Sequence, residues 1–360
     1  MNRIIILATN DFATDQRVLK VASVFSQNNF DVLLLGRRGR TAIDVKLAFK
    51  SRLMRMVFNS SVLFYAEFNI RAFLFLLFSR YTHVLANDTD TVLAGFFASK
   101  IRSKKIVFDA HELFPEVPEL HNRKFPKWFW TKIEDLIFPR LSSSFTVCQS
   151  IASYYQDRYG IEMNVVRNIP TRKAQFPKKL DYGDRKIILY QGALNKGRGL
   201  EWVIAAMPKI ENAVLVIIGC GDIEQQLKKM VIDQQLTTKV FFLGRVLGDE
   251  LYTYTSSASL GLCLLENIGL SYYYALPNRI FDYLHAGVPI LATDFPEIRN
   301  IVSNYNTGLL INQYDANYLA KVITTLLNEQ FDTSHFARIA DELCWERESE
   351  KLNNIIANRL

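Results

Sequence analysis

The sequence predicts an α/β protein built from two doubly wound parallel sheets. Three observations carry this. The chain has 360 residues, too many for one ordinary core and suited to two α/β domains. Short apolar, β-branched runs alternate with helix-period segments along nearly the whole length, which implies parallel strands covered on both faces. Between the halves, residues 168–182 are polar and basic, contain Pro170 and Pro177, and show no sustained periodicity, as a connection between domains does.

In chain order, strands are predicted at residues 4–8, 32–36, 83–86, 105–109, 144–148 and 164–167 in the first half. The second half offers 186–191, 213–219, 239–243, 260–265 and 289–293. The spacing i, i+3, i+4, i+7 is met by Val18, Val21, Ala22 and Phe25, and again by Leu200, Val203, Ile204 and Met207, so each set marks a packed helix face. Residues 61–78 form the most apolar stretch, but Glu67, Asn69 and Arg71 interrupt it. That falls short of a bilayer span and predicts a buried or interfacial helix. Residues 345–360 read as a final charged helix. The N-terminal apolar run lacks the cleavage pattern of a signal peptide and reads as a first buried strand.

Composition narrows the functional classes. With 49% hydrophobic residues and no low-complexity tract, disorder is excluded. The four cysteines are far apart and form no C-x-x-C pair, which fits a reducing cytoplasm better than a disulfide scaffold. Charge is uneven. Residues 1–172 carry 24 Lys+Arg against 15 Asp+Glu, a net of +9, whereas the remainder carries 19 against 21. A basic half suits an anionic surface. No nucleic-acid module is visible, and the basic region is strongly apolar and aromatic, which favours a membrane over nucleic acid; a solvated basic face is the alternative. Residues 125–130, flanked by Arg123, Lys124, Lys127 and Lys132, read either as interfacial aromatics or as partly core.

Three segments in the second half carry chemistry. In residues 274–289, Pro277 suits a helix's first turn, Asn278 its cap, and Gly287 with Pro289 its stop. The free N–H groups there, including that of Ile280, suit a diphosphate. Arg279 adds a fork of donors, and Asp282 can accept from ribose hydroxyls. An ordinary capped helix with a surface Asp is the competing reading. Residues 190–200 form a strand-to-helix turn holding Gly192, Gly197 and Gly199 with Lys196 and Arg198, the composition for close backbone approach to phosphate. It is neither G-x-G-x-x-G nor a Walker A loop. Gly219 and Gly221 close the following strand. In the first half, residues 109–112 (Asp-Ala-His-Glu) lack H-E-x-x-H spacing, so no zinc site is read. His111 at a strand end is structural or functional, and Asp15 and Arg17 either begin a helix or face a ligand.

With these motifs, residues 186–312 resemble the donor domain of retaining GT-B glycosyltransferases of family 4, the glycosyl transferases group 1. Gly219-x-Gly221, Phe242-Leu-Gly-Arg245 and residues 274–289 carry that likeness. The first half resembles the same family through Asn10-Asp11, Asp15-Gln-Arg-Val18, Ala86-Asn-Asp88, Asp109-Ala-His-Glu112 and Asn168-Ile-Pro170. The resemblance implies two Rossmann-like domains facing across a cleft: residues 1–172, joined by the returning helix 345–360, on the acceptor side, and residues 173–344 on the donor side. It implies a metal-independent, retaining transfer without a cofactor, from a nucleotide sugar to a glycan or lipid-linked acceptor in envelope polysaccharide or lipopolysaccharide assembly. The expected location is the cytoplasm, peripherally on the inner membrane face, with no nucleic-acid partner.

By position, Arg198 matches the residue on the donor diphosphate, Asp282 the acid on the ribose, and His111 a histidine near the transferred sugar. Gly192, Lys196, Gly197, Gly219, Gly221, Arg245, Glu266, Asn267, Pro277, Asn278, Arg279 and Ile280 complete the expected donor site. Asn10, Asp11, Asp15, Arg17, Asp88 and Glu112 form the acceptor side. The family often carries two acids separated by seven positions, and the first falls on Tyr274; its usual Arg after the loop glycine is Ala193. These departures leave open a non-catalytic relative that binds a nucleotide sugar or a partner enzyme. A nucleotide-cofactor oxidoreductase or sugar-nucleotide epimerase shares doubly wound sheets, but no G-x-G-x-x-G follows the first strand.

Overall fold

The computed structural model describes residues 2–10, 12, 15–38, 48–172, 179–246, 248–329 and 331–360. Its chain divides into two units, Met1–Asn168 with Gly269–Ser271 and Arg347–Leu360, and Ile169–Ile268 with Tyr272–Glu346. The first unit holds strands β1 (Arg3–Leu7), β2 (Asp31–Arg37), β3 (Lys50–Met54), β4 (His83–Asn87), β5 (Lys105–Ala110), β6 (Ser144–Thr146) and β7 (Asn164–Val165). They form one sheet in the order β3-β2-β1-β4-β5-β6-β7, every pairing parallel. Its helices are α1 (Gln16–Gln27), α2 (Ser61–Phe78), α3 (Thr89–Arg102), α4 (Lys124–Ile137) and α5 (Gln149–Tyr159).

The second unit holds β8 (Lys186–Gln191), β9 (Ala213–Ile218), β10 (Val240–Gly244), β11 (Leu260–Cys263), β12 (Ile290–Thr293) and β13 (Gly308–Ile311). Their order is β10-β9-β8-β11-β12-β13, again parallel throughout. The helices are α6 (Leu200–Ala206), α7 (Glu224–Asp233), α8 (Gly248–Thr255), α9 (Leu270–Tyr273), α10 (Arg279–His285), α11 (Pro296–Val302), α12 (Ala316–Asn328) and α13 (Phe336–Glu342), followed by α14 (Trp345–Arg359).

Side chains alternate across a strand, so a sheet buried on both faces must be apolar at every position. Strand β8 does this: Ile188 and Tyr190 pack with Val203 and Ile204, while Ile187 and Leu189 pack on the opposite face with Phe281. Helix entry is set by side-chain caps, with Asp15 accepting from the Val18 N–H and Asp315 from the N–H groups of Asn317 and Tyr318. An Asp at this position offsets donors that the helix leaves unpaired.

Two strands escape sequence reading. Both β3 and β13 lie at sheet edges, and β3 is a charged, exposed run from Lys50 to Leu53, so no buried apolar pattern marks it. Three predicted strands end two residues early, at Thr146, Val165 and Cys263. Cys148 becomes the N-cap residue of α5. Beyond Cys263, the Leu265 N–H donates to the Thr293 hydroxyl rather than to a neighbouring strand. Part of the predicted break at residues 168–182 lies outside the described residues.

Within the first unit, α14 is tied to the end of β7. The Glu348 carboxylate accepts from the Arg167 backbone N–H at 2.8 Å and from its Nε and Nη2 at 3.0 and 2.7 Å. Asn353 accepts from Asn28 at 2.7 Å. Burial would raise the Glu348 carboxyl, but Arg167 and Lys351 hold it below the ordinary range. Replacing Glu348 by Ala therefore leaves a half-buried guanidinium unpaired and should cost about 3 kcal/mol of stability at pH 7. A depressed carboxylate contributes above its unfolded value of 4.5 and loses that contribution as pH falls further. Urea unfolding should accordingly show the gap between variant and parent closing in acid.

Candidate functional site

In each unit the polar groups collect where parallel strands end, the place where doubly wound sheets bind ligands. In the first unit a cavity of about 180 Å³ opens beyond β1, β4 and β5, lined by Thr9, Asn10, Asp15, Tyr65, Asn87, Asp88, Asp90, His111, Glu112 and Phe114 among others. At its base lies Asp109, fully buried, which receives the Arg17 guanidinium on both oxygens, Nη2 at 2.7 Å and Nε at 2.9 Å. Arg17 also donates to the Val166 carbonyl at 2.8 Å. Burial would raise the Asp109 carboxyl, but Arg17 and His111 hold it below the ordinary range.

His111 stands between two acids. Its Nε2 is 3.1 Å from Asp109 Oδ2, its Nδ1 is 3.2 Å from Asp88 Oδ2, and its backbone N–H donates to Asp88 Oδ1 at 2.7 Å. Desolvation opposes a charged ring, yet Asp88 and Asp109 outweigh it and push the imidazole up to about 9. At neutral pH it is an imidazolium with both N–H groups committed, which suits holding a neighbour and not taking a proton. Asp88 has φ of 59°, a conformation a non-glycine residue holds only when its surroundings enforce it; here the two His111 contacts do so.

Around the cavity mouth, carboxyls are driven toward neutrality. Asp90 accepts from Thr9 at 2.6 Å and is raised by burial to about 7. Glu112 keeps an open surface, but protein surrounds it closely enough that burial, with Asp88 and Glu119, pushes it to about 8. Asn87 donates to the Leu7 carbonyl at 2.7 Å while its buried Oδ1 has no partner among the described residues. The cavity thus offers acceptors and protonated carboxyls, the groups that pair with hydroxyls.

Of the expected acceptor-side residues, Asn10, Asp15, Asp88 and Glu112 come together here, with His111, expected near the transferred sugar, among them. Asp11 lies outside the described residues. Arg17 is corrected: at 2% exposure it faces Asp109 and not a ligand. The sequence reading missed Thr9, Tyr65, Asn87, Asp90 and the organising role of Asp109. Its available signal was the polar run that follows each apolar strand.

The second unit's site is built by two loops in contact. A Cβ on Gly219 would lie 1.8 Å from the Gly192 carbonyl oxygen, and one on Gly197 would lie 2.4 Å from Ile268. These glycines let loops approach each other, so their need does not by itself mark a ligand. Gly221 likewise abuts the Leu194 backbone. The Arg198 guanidinium lies over the Tyr272 ring at 4.5 Å, and its buried Nε has no partner among the described residues. Lys196, Arg245 and Asn267 are exposed. Glu266 donates its N–H to the Gly197 carbonyl at 2.9 Å, and burial raises its carboxyl.

At residues 277–282 the structure revises three expectations. Asn278 has helical φ and ψ and makes no side-chain cap. The Ile280 N–H donates to the Pro277 carbonyl at 3.1 Å, so it is not free for phosphate. Arg279 is 7% exposed, donates to the Gln191 carbonyl at 3.1 Å and covers the Tyr190 ring; it braces the loop from within. Asp282 accepts from Gln191 Nε2 at 2.8 Å, and Gln191 Oε1 accepts from Thr255 at 2.7 Å. That relay fixes the amide's orientation and aims the carboxylate. Gln191, Thr255 and Tyr272 were not foreseen, although a Gln ending an apolar strand is a polar signal.

The His111 geometry is testable by its titration. Its ring proton resonances should move near pH 9, and Asp88→Asn should bring that midpoint down toward 6.5. A raised histidine stabilises fully below its unfolded value of 6.5 and loses this as pH rises through about 9. Urea midpoints should therefore fall across that window in the parent and fall less in the Asn variant.

Residues 171–342 match the family model described as glycosyl transferases group 1. A GDP-mannose-dependent α-(1-6)-phosphatidylinositol monomannoside mannosyltransferase of Mycobacterium tuberculosis is 22% identical over 221 residues, 56% of this chain and 57% of that protein. The chain spans between 36% and 57% of the length of the curated relatives it matches. Sucrose-phosphate synthase from Thermosynechococcus elongatus superposes with a TM-score of 0.80 at 17% identity, covering 99% of this chain and 98% of that one. Anabaena HepE in complex with UDP and glucose gives 0.74 at 14%, covering 99% and 100%. The chain thus has the GT-B fold, and residues 171–342 of it are similar to the group 1 glycosyl transferases.

Proposed function

We propose that this protein transfers a sugar, with retention, from a nucleotide-sugar donor to a hydroxyl of a glycan or lipid-linked acceptor. The observation that carries this reading is the Asp282–Gln191–Thr255 relay beside the Gly192–Arg198 loop. A fixed carboxylate suits ribose hydroxyls, and Arg198 with Lys196 suits the charge that grows on the diphosphate as the sugar leaves. With those cations present, the reading requires no metal. In it His111, an imidazolium whose two N–H groups hold Asp88 and Asp109, sets a positive charge beside the sugar, while the carboxyl-lined cavity of the first unit takes polyol groups. The name of the mycobacterial relative supports a lipid-linked acceptor, and envelope glycan assembly is the pathway class this favours. Four cysteines with no disulfide among them agree with a cytoplasmic location.

Calorimetry against a panel of UDP- and GDP-sugars should find one donor that binds. Asp282→Ala and Arg198→Ala should each weaken it about tenfold or more, as loss of a charge-assisted hydrogen bond does. Unchanged binding in both variants would remove this donor site. Slow hydrolysis of the bound donor should distinguish an enzyme from a binding relative, in which none would rise above background.

A further inference from the structure

Helix α2 is apolar on the side it buries and on the side it shows. Phe64, Phe68, Ala72 and Leu76 pack inward, in a cluster with Ile5, Leu35 and Val84 for all but Phe64. The opposite stripe, Leu63, Ile70, Leu74 and Phe78, is between 49% and 87% exposed. On the neighbouring α3, Phe97 and Ile101 are exposed as well. An apolar groove of about 240 Å³ runs between the two helices, lined by Ile70, Phe73, Leu93 and Phe97 among others. A helix apolar all round belongs in a core or in lipid, and half of this one has neither.

We infer that the α2–α3 face of the first unit is a membrane-docking surface for anionic lipid, entered parallel to the bilayer. Charge selects this occupant. Arg52, Arg55, Arg71, Arg80 and Lys100 are exposed on these helices, on β3 or just beyond their ends. The one acid on α2, Glu67, is drawn aside by the Val57 and Phe58 N–H groups and by Arg71. An apolar face flanked by arginines, with no free carboxylate on it among the described residues, complements headgroup phosphates. A second copy of the same face would set arginine against arginine, which opposes self-association. Although 61–78 has the length and apolarity of a span, its inward stripe already packs on the sheet, so lying flat keeps that core intact.

Nothing here depends on the donor reading, and the test separates the two. The full chain should co-sediment with phosphatidylcholine vesicles containing phosphatidylglycerol, weakly with phosphatidylcholine alone, and less as salt rises. Ile70→Glu with Leu74→Glu should cut binding to anionic vesicles roughly tenfold or more, with unchanged circular dichroism and nucleotide binding, since both side chains point outward. Arg55→Glu with Arg80→Glu should remove the preference for anionic lipid as an independent check. Absence of vesicle binding at low salt, or full binding by the Ile70/Leu74 variant, would overturn the proposal. So would a stable dimer in light scattering that the same variant converts to monomer.

Discussion

Asp109 takes the Arg17 fork on both oxygens and the His111 ring on one of them, while itself excluded from solvent. A buried carboxylate is tolerable only when paired, so this one group constrains three elements together. Arg17 fixes the start of α1 and, through the Val166 carbonyl, the segment after β7. His111 then has one orientation left, and its second nitrogen meets Asp88, whose positive φ is held by that contact. The cavity's shape and its charge are consequences of one ion pair. Removing Arg17 would leave Asp109 facing His111 alone, and the site's electrostatics would change with its packing.

The second unit solves the same problem with neutral groups. There the strand-end side chain is Gln191, which donates its side-chain N–H to Asp282 and accepts a hydrogen bond from the Thr255 hydroxyl, while its backbone carbonyl accepts from Arg279. An amide has a donor end and an acceptor end, so both its neighbours fix which way it faces. Burial of the Arg279 charge is offset in part by the Tyr190 ring over its face and by the Gln191 carbonyl that accepts its N–H. The result is a carboxylate positioned by a rigid strand rather than by a loop.

These two sites explain what the sequence makes legible. Parallel strands buried on both faces announce themselves as continuous apolar runs, and every interior strand was readable in this way. Edges such as β3 were not, because half their surface is solvated. Site residues were readable by place: His111 and Asp88 follow strands, and Asp282 falls in the first turn of α10. Partnership was not readable, since it joins residues distant in sequence. Arg17 and Asp109 are 92 positions apart, and Gln191 and Asp282 are 91 apart. That is why Arg17 and Arg279, which sequence reading turns toward ligands, prove to be internal braces, and why glycines attributed to phosphate serve first to let two loops touch.

The same distinction separates composition from placement on the basic half. Residues 125–130 have an interfacial composition, yet Trp130 packs edge-on to Tyr65 and Phe114, and Lys127 and Lys132 are paired with Glu116 and Asp135. Helix α2, whose internal charges argue against a span in the sequence, pairs Glu67 with Arg71 and leaves Leu63, Ile70, Leu74 and Phe78 exposed around them. Tyr65 on that helix lines the cavity that holds His111, while Leu74 lies on the outward stripe two and a half turns later. At 1.5 Å per residue this separates them by roughly 13 Å along the axis. If α2 lies at the headgroups, the polar cavity sits within reach of a sugar on a short lipid-linked carrier, and a soluble acceptor of the same sugar would lose that advantage of proximity.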